Sequence, residues 1–272
     1  MRLGALLAVL LPSLARAHAG LEADVARLTK ALDEAPSAAL YLRRAEKLRL
    51  LGRTDEALAD VDRARGRGAS LLLVSEARGL CFAAKGEPAK AVAELDGFLG
   101  GGGVSQDALR TRAAMLRRLG RGAEAVLDAR RAVELYPEPD VVLELARLEE
   151  SLGRPADAAR TLEQGLARLG GAVTLRLELI ALYRRTGQHG LALAHARTAA
   201  SALEVKTQWQ LLAAEILLDL GRGSEARAEL EAVIAQLDAR LARRPNALQL
   251  EARGRALELL ARTTKQAKEA AR

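Results

Sequence analysis

A glycine that recurs every 33 or 34 residues limits most strongly what this chain can fold into. Five residues after each of these glycines the sequence has an alanine. Because alanine makes up about a fifth of the chain, six aligned alanines would arise by chance only about once in ten thousand registers. The chain therefore contains an internal repeat of 33 or 34 residues. The glycines are Gly52, Gly86, Gly120, Gly153, Gly187 and Gly221, and the alanines are Ala57, Ala91, Ala125, Ala158, Ala192 and Ala226.

Each repeat predicts two helices joined at the glycine. In the first repeat, Leu40 and Leu48 have the spacing of one helical face, and Gly52 is the residue type that ends a helix in the left-handed conformation. Thr54 is predicted to cap the second helix, and Ala57 is predicted to lie where the two helices approach most closely. A second small residue is expected seven positions before each glycine. These positions hold Ala45, Gly79, Ala113, Ala146, Ile180 and Ala214, of which Ile180 is the exception.

In these features the chain resembles the tetratricopeptide repeat (TPR) proteins, which consist of 34-residue helix pairs with alanine early in the second helix. The resemblance implies an all-α fold, a right-handed α-solenoid of about six TPR-like helix pairs with capping helices at both ends. The predicted repeats are residues 38–71, 72–105, 106–138, 139–172, 173–206 and 207–244, preceded by a capping helix at 20–36 and followed by a capping helix and basic tail at 246–272.

The composition supports helices and excludes several other classes of protein. Half of the residues are hydrophobic but only 2% are aromatic, and the scarcity of β-branched and aromatic residues disfavours a sandwich or barrel. With so few aromatic side chains and a net charge of only +7, nucleic-acid binding is not predicted. One cysteine cannot form an internal disulfide, and three histidines make a multi-histidine metal site improbable.

No arrangement of residues typical of catalysis is present in the sequence. The glycine run at 100–103 is not followed by the lysine of a phosphate-binding loop. Cys81 is predicted to be a small buried residue of a first helix. We therefore predict no catalytic residue, no metal and no cofactor.

The first 19 residues have the layout of an export signal. Arg2 precedes an apolar run, and small residues then occupy two candidate cleavage sites, after Ala17 and after Ala19. The apolar run is short for a membrane span. We therefore predict a signal peptide at 1–19 and a periplasmic or extracellular location; the alternative is a buried first helix.

The resemblance implies that the first helices line a concave groove that binds a polypeptide. We expect an exported scaffold for protein–protein interaction, without catalysis, whose partner is a protein or peptide. The alternatives are a membrane-anchored assembly factor with an uncleaved N-terminus and an accessory subunit of an exported enzyme. The predicted partner-binding residues are Arg43, Glu46, Arg110, Arg117, Glu144, Arg147, Glu178, Arg184 and Trp209.

Two alternatives remain open for these residues. The charged side chains could merely keep a helical face in contact with water, and Trp209 could pack between repeats instead of anchoring a partner.

Overall fold

The computed structural model describes the backbone of residues 3–202 and 206–270, and the side chains within these ranges except those of 3–17, 268 and 270. This part of the chain forms fourteen helices and no strand, which confirms the predicted all-α fold. The basic residues Arg2 of the predicted signal and Arg272 of the predicted tail lie outside the described residues.

The helices divide into two compact units, Met1–Pro137 (the N-terminal unit) and Glu138–Arg272 (the C-terminal unit). The N-terminal unit has one helix followed by three pairs, and the C-terminal unit has three pairs followed by one helix. In the N-terminal unit the helices are α1 (Leu3–Glu34), α2 (Ala38–Leu50), α3 (Thr54–Gly66), α4 (Leu71–Lys85), α5 (Pro88–Gly100), α6 (Gln106–Arg118) and α7 (Gly122–Leu135). In the C-terminal unit they are α8 (Pro139–Ser151), α9 (Pro155–Arg168), α10 (Val173–Arg185), α11 (His189–Ala202), α12 (Lys206–Asp219), α13 (Gly223–Arg243) and α14 (Ala247–Ala270).

A helix flanks the helix pairs at each end. Helix α1 (Leu3–Glu34) includes most of the capping helix expected at 20–36, and α14 (Ala247–Ala270) lies in the segment expected to hold the C-terminal capping helix and basic tail, 246–272. The backbone N–H of Leu248 donates to the Asn246 side-chain oxygen at 2.9 Å, which caps α14. Among the described residues, none of the helices combines the length and apolar character that a membrane span requires.

The repeated glycine reverses the chain within every helix pair. All six repeat glycines have φ between +71° and +81°, the left-handed conformation that a side chain disfavours. The backbone N–H that follows each glycine donates back to a carbonyl of the first helix at 2.7–3.0 Å, as Arg53 does to Leu48. This hydrogen bond satisfies a carbonyl that the end of the helix would otherwise leave without a partner.

The cap predicted at Thr54 is wrong, because Arg53 already occupies the N-cap position and makes no side-chain cap. Instead, the Arg53 guanidinium forms two hydrogen bonds, of 2.7 and 2.8 Å, with the carboxylate of Glu56. The same arginine–glutamate pair recurs at Arg121 with Glu124 and at Arg222 with Glu225. The residue after the glycine therefore both closes the turn and is the N-cap residue of the next helix, so Thr54 is already the first residue of that helix.

Small residues allow the two helices of each pair to pack closely. The six alanines five residues after the glycines are at most 1% exposed, as predicted. In the second pair the opposing position is Gly79, where an added Cβ would lie 2.6 Å from Cγ of Leu95. Because Leu95 is fully buried, it has little room to move away.

An arginine–carboxylate pair that the sequence analysis missed crosses each helix pair of the N-terminal unit. Arg44 makes hydrogen bonds of 2.6 and 2.8 Å to Asp60, whose side chain is only 1% exposed. Arg112 and Asp128 repeat this geometry, and Arg78 lies 3.4 Å from Glu94 at the equivalent place. Such pairs contribute little net stability, but their bidentate geometry fixes how the two helices are aligned.

We predict that Gly79→Ala destabilises the N-terminal unit although alanine favours helix. Overpacking against Leu95 costs about 1–3 kcal/mol, which offsets or exceeds the gain of about 1 kcal/mol from helix propensity. The matched control is Gly97→Ala in α5, where the added Cβ would meet only Ser75 Oγ, at 3.8 Å. Urea denaturation followed by circular dichroism should show a lower midpoint for Gly79→Ala and an unchanged or higher one for Gly97→Ala. Equal stabilisation by both substitutions would contradict this packing.

Candidate functional site

The N-terminal unit contains a cavity of about 250 Å³ between its first helices. Helices α2 and α4 form its walls, and the start of α6 closes one edge. The lining residues are Leu42, Ala45, Glu46 and Arg49 from α2, Leu73, Glu76, Ala77, Leu80 and Cys81 from α4, and Asp107 from α6.

Helical spacing explains why these side chains share the cavity. Leu42, Glu46 and Arg49 are four and three residues apart, so they lie on one face of α2. Leu48 belongs to the hydrophobic core together with Ala57 of the second helix, and Ala45 both lines the cavity and belongs to this core. The apolar floor of the cavity is therefore continuous with the hydrophobic core, whereas its rim carries charged groups.

The rim of the cavity is acidic. It carries the carboxylates of Glu46, Glu76 and Asp107 and a single guanidinium, that of Arg49. Glu46 lies 3.5 Å from the ammonium group of Lys47, and both side chains are solvent-accessible. Within the described part of the chain, neither Glu76 nor Asp107 takes part in an ion pair or a side-chain hydrogen bond.

The thiol of Cys81 lies at the apolar floor. As predicted for a small buried residue, it is 1% exposed. Burial raises the pKa of the thiol to about 11, and the Arg49 guanidinium acts in the opposite direction by favouring the thiolate. The thiol therefore stays protonated and unreactive at neutral pH.

Four of the predicted partner-binding residues belong to the N-terminal unit, and one of them lines the cavity. Glu46 is part of the rim, whereas Arg43 is exposed elsewhere on α2. Arg110 and Arg117 lie on α6, half-buried and exposed respectively, outside the cavity lining. Asp107 was missed because it belongs to the first turn of a helix from the next repeat, and the groove positions considered in that repeat begin three residues later.

In the C-terminal unit, the first helices are joined by ion pairs. Arg147 of α8 donates to Glu178 of α10 at 2.8 Å, and Arg184 of α10 donates to Asp219 of α12 at 2.6 Å. A second ion pair joins α10 to α8, in which Arg185 donates to Glu150 at 2.9 and 3.0 Å. Further along, Arg255 of α14 donates to Glu215 of α12.

These contacts place three predicted residues, Arg147, Glu178 and Arg184, in pairs with carboxylates or guanidinium groups of their own unit. Burial acts to raise the pKa of the Glu178 carboxyl, but Arg147 and Arg185 together outweigh this effect and hold the pKa below its usual value. The fourth charged residue, Glu144, is exposed on α8 and also takes part in an interaction of its own. Trp209 is 5% exposed and belongs to the buried residues of α12.

The structure offers no alternative centre for metal chemistry among the residues it describes. No group of three or more His, Cys, Asp or Glu side chains in these ranges is arranged to hold a metal ion. The three carboxylates of the cavity rim are therefore not close enough together to form such a site.

We predict that the Cys81 thiol titrates far above neutral pH. The chain has one cysteine, so cysteine labelled with ¹³C at Cβ gives a single NMR resonance to follow against pH. Its midpoint should lie at about 11 in the folded protein, because burial disfavours the thiolate, and near 8.5 in concentrated urea. Since only the unfolded chain then loses its proton between these values, this thiol reduces stability as pH rises through them. Arg49→Gln should raise the folded midpoint further, and a folded midpoint near 8.5 would show that the thiol is not buried.

The comparisons with known proteins concern the fold. No protein-family model matches the chain, and no curated protein matches its sequence. Among solved structures, a tetratricopeptide repeat protein from Parabacteroides merdae is 19% identical, with 90% of this chain and 92% of that one covered and a TM-score of 0.50. PilW, described as a widely conserved type IV pilus biogenesis factor, is 18% identical over 74% of this chain and 94% of its own, with a TM-score of 0.57. YrrB, described as a TPR protein with an unusual peptide-binding site, is 20% identical over 64% and 91%, with a TM-score of 0.50. These likenesses show that the chain has the tetratricopeptide repeat fold.

Proposed function

We propose that this chain is a scaffold that binds a partner polypeptide in the cavity of its N-terminal unit and performs no catalysis of its own. The observation that carries the proposal is the cavity between α2 and α4, with its apolar floor and charged rim. Apolar surface provides the free energy of binding, and a few polar groups at the rim select and orient the occupant.

The size of the cavity favours a side chain over a small molecule. Its volume of about 250 Å³ is below the range of about 300–1,000 Å³ that is typical of small-molecule sites. It equals the space of about eight water molecules, which accommodates one or two side chains of a peptide. The description of YrrB as a peptide-binding TPR protein is consistent with this use of the fold.

We also propose that the protein is exported. The support is the order of basic residue, apolar run and small residues at 1–19. The first alternative, an anchored assembly factor with an uncleaved N-terminus, has a parallel in PilW, whose description is that of a pilus biogenesis factor. The second, an accessory subunit of an exported enzyme, would use the same cavity with an enzyme as the partner.

We predict that filling the cavity abolishes partner capture. Ala77 lines the cavity, so the ring of Ala77→Phe would occupy it, whereas Ala93 is exposed on α5 outside the cavity and Ala93→Phe is the matched control. The measurement is crosslinking of the native protein in its own cells, followed by identification of what is captured and titration with that partner in purified form. The partner should be lost with Ala77→Phe and kept with Ala93→Phe.

Circular dichroism must show equal helix content for both variants, and Ala77→Leu provides a milder substitution if the phenylalanine unfolds the unit. Binding that survives a folded, filled cavity would move the site elsewhere. A purified complex that shows enzymatic activity would favour the accessory-subunit alternative.

We predict that the mature protein begins at His18 or Gly20, because the small residues before these positions suit signal cleavage. Mass spectrometry of the native protein after cell fractionation measures this directly. An intact N-terminus in the membrane fraction would favour the anchored assembly factor. A chain that starts at Met1 or Arg2 in the soluble cytoplasmic fraction would contradict export.

A further inference from the structure

An exposed apolar surface adjoins the cavity of the N-terminal unit. Helix α4 begins with three consecutive leucines, Leu71, Leu72 and Leu73, which are 69%, 37% and 50% exposed. Leu73 also lines the cavity, so the apolar surface continues from the outside of the unit to the cavity floor. Because consecutive residues of a helix are about 100° apart around its axis, the three leucines do not share one face, and Leu73 is the one that extends the cavity floor to the outside of the unit.

The charge on the rim identifies what else the occupant must carry. Glu76 is half-buried and Asp107, at the start of α6, is exposed; both line the cavity, yet neither has an ion-pair partner among the described residues. A carboxylate that is partly removed from water gains most from a cation that enters the same low-dielectric space. Arg49 is the only cation of the cavity lining, and it faces three carboxylates.

The C-terminal unit shows what the equivalent helices look like when their carboxylates are satisfied within the chain. There Glu178 and Asp219 accept hydrogen bonds from Arg147 and Arg184 of neighbouring first helices. Glu76 and Asp107 are also on first helices, but no arginine of the described chain pairs with them. The two cavity carboxylates of the N-terminal unit therefore lack the ion pairs within the described chain that Glu178 and Asp219 have.

We infer that the cavity receives one lysine or arginine side chain of the partner, while an apolar residue next to it in the partner packs on the exposed side of Leu73. The inference rests on the proposed function and adds the chemistry of the partner. The long aliphatic part of a lysine or arginine would contact Leu73 and Leu80, and its charged end would reach Glu76 and Asp107. Opposite charge across such a contact provides specificity and speeds association.

The first test is a selection that makes no assumption about the peptide. Random twelve-residue peptides displayed on phage are selected on the full-length protein, with the cavity-filled Ala77→Phe variant as the negative selection. We expect enriched peptides with a lysine or arginine beside a leucine, isoleucine, valine or phenylalanine. Enriched peptides that depend on the cavity but lack a basic residue would overturn the inference and leave the proposed function intact. No cavity-dependent peptide at all would contradict both the inference and the proposed function.

The second test uses one selected peptide and removes the charges from each side. Calorimetric titration should show affinity reduced at least tenfold by Glu76→Gln with Asp107→Asn, and reduced similarly when the basic residue of the peptide is acetyl-lysine. The matched control is Asp62→Asn with Glu134→Gln, exposed acids on α3 and α7 outside the cavity, which should bind as the unaltered protein does. In the Glu76→Gln, Asp107→Asn variant, the acetyl-lysine peptide should lose little further affinity, since the carboxylates that the lysine charge would pair with are absent.

Cys81 gives a local readout of the same event. Because it is the only cysteine and part of the cavity lining, its ¹³Cβ NMR resonance should shift when the peptide is bound. Equal loss of affinity in the control pair, or full binding of the acetyl-lysine peptide, would overturn the inference. The acetyl-lysine comparison needs no altered protein, so it decides the matter even if the cavity variant fails to fold.

Discussion

The six left-handed glycine turns are the constraint on which the rest of the structure depends. At φ between +71° and +81°, any residue with a side chain would cost about 1–2 kcal/mol, and the turn recurs in every helix pair. Because each turn has the same length and the same backbone hydrogen bond, residues at the same distance from the glycine occupy equivalent structural positions in every repeat. The alanine five residues later meets the first helix, and residues that precede the glycine by six or ten, such as Glu46 and Glu76, face the cavity.

This dependence explains how much of the fold could be predicted from the sequence. Glycine conformation and close helix packing depend on single residues and their spacing, so the sequence alone predicts the all-α fold and its sequential helix pairs. The cap at Thr54 was wrong because the turn and the next helix share one residue, Arg53, which sequence rules for separate helices do not anticipate. The Arg44–Asp60 pair was missed although its sixteen-residue spacing recurs in the next two repeats, since charged residues at those positions also fit a solvated surface.

The candidate site was less predictable for a different physical reason. Backbone periodicity shows which positions lie on the groove face, and one of them, Glu46, lines the cavity. Periodicity does not show which long side chains form ion pairs, because that depends on their rotamers. The two partners are about 31–35 positions apart in the sequence, as in the Arg147–Glu178 and Arg184–Asp219 pairs. The cavity needs a third helix, which contributes Asp107, and only the packed structure reveals that neighbour.

The pattern of ion pairs also determines where a partner can bind at the lowest cost in free energy. An exposed pair such as Arg147–Glu178 is worth at most about 1 kcal/mol, so a partner could break one of them at small cost. A partner that recruits the charged residues of α8, α10 and α12 together must displace several linked pairs, and each displaced group must find a new partner. At the cavity of the N-terminal unit, Glu76 and Asp107 have no ion pair among the described residues to give up. A cation that enters there gains their attraction without that cost, and the apolar floor adds burial that the exposed ion pairs of the C-terminal unit do not provide.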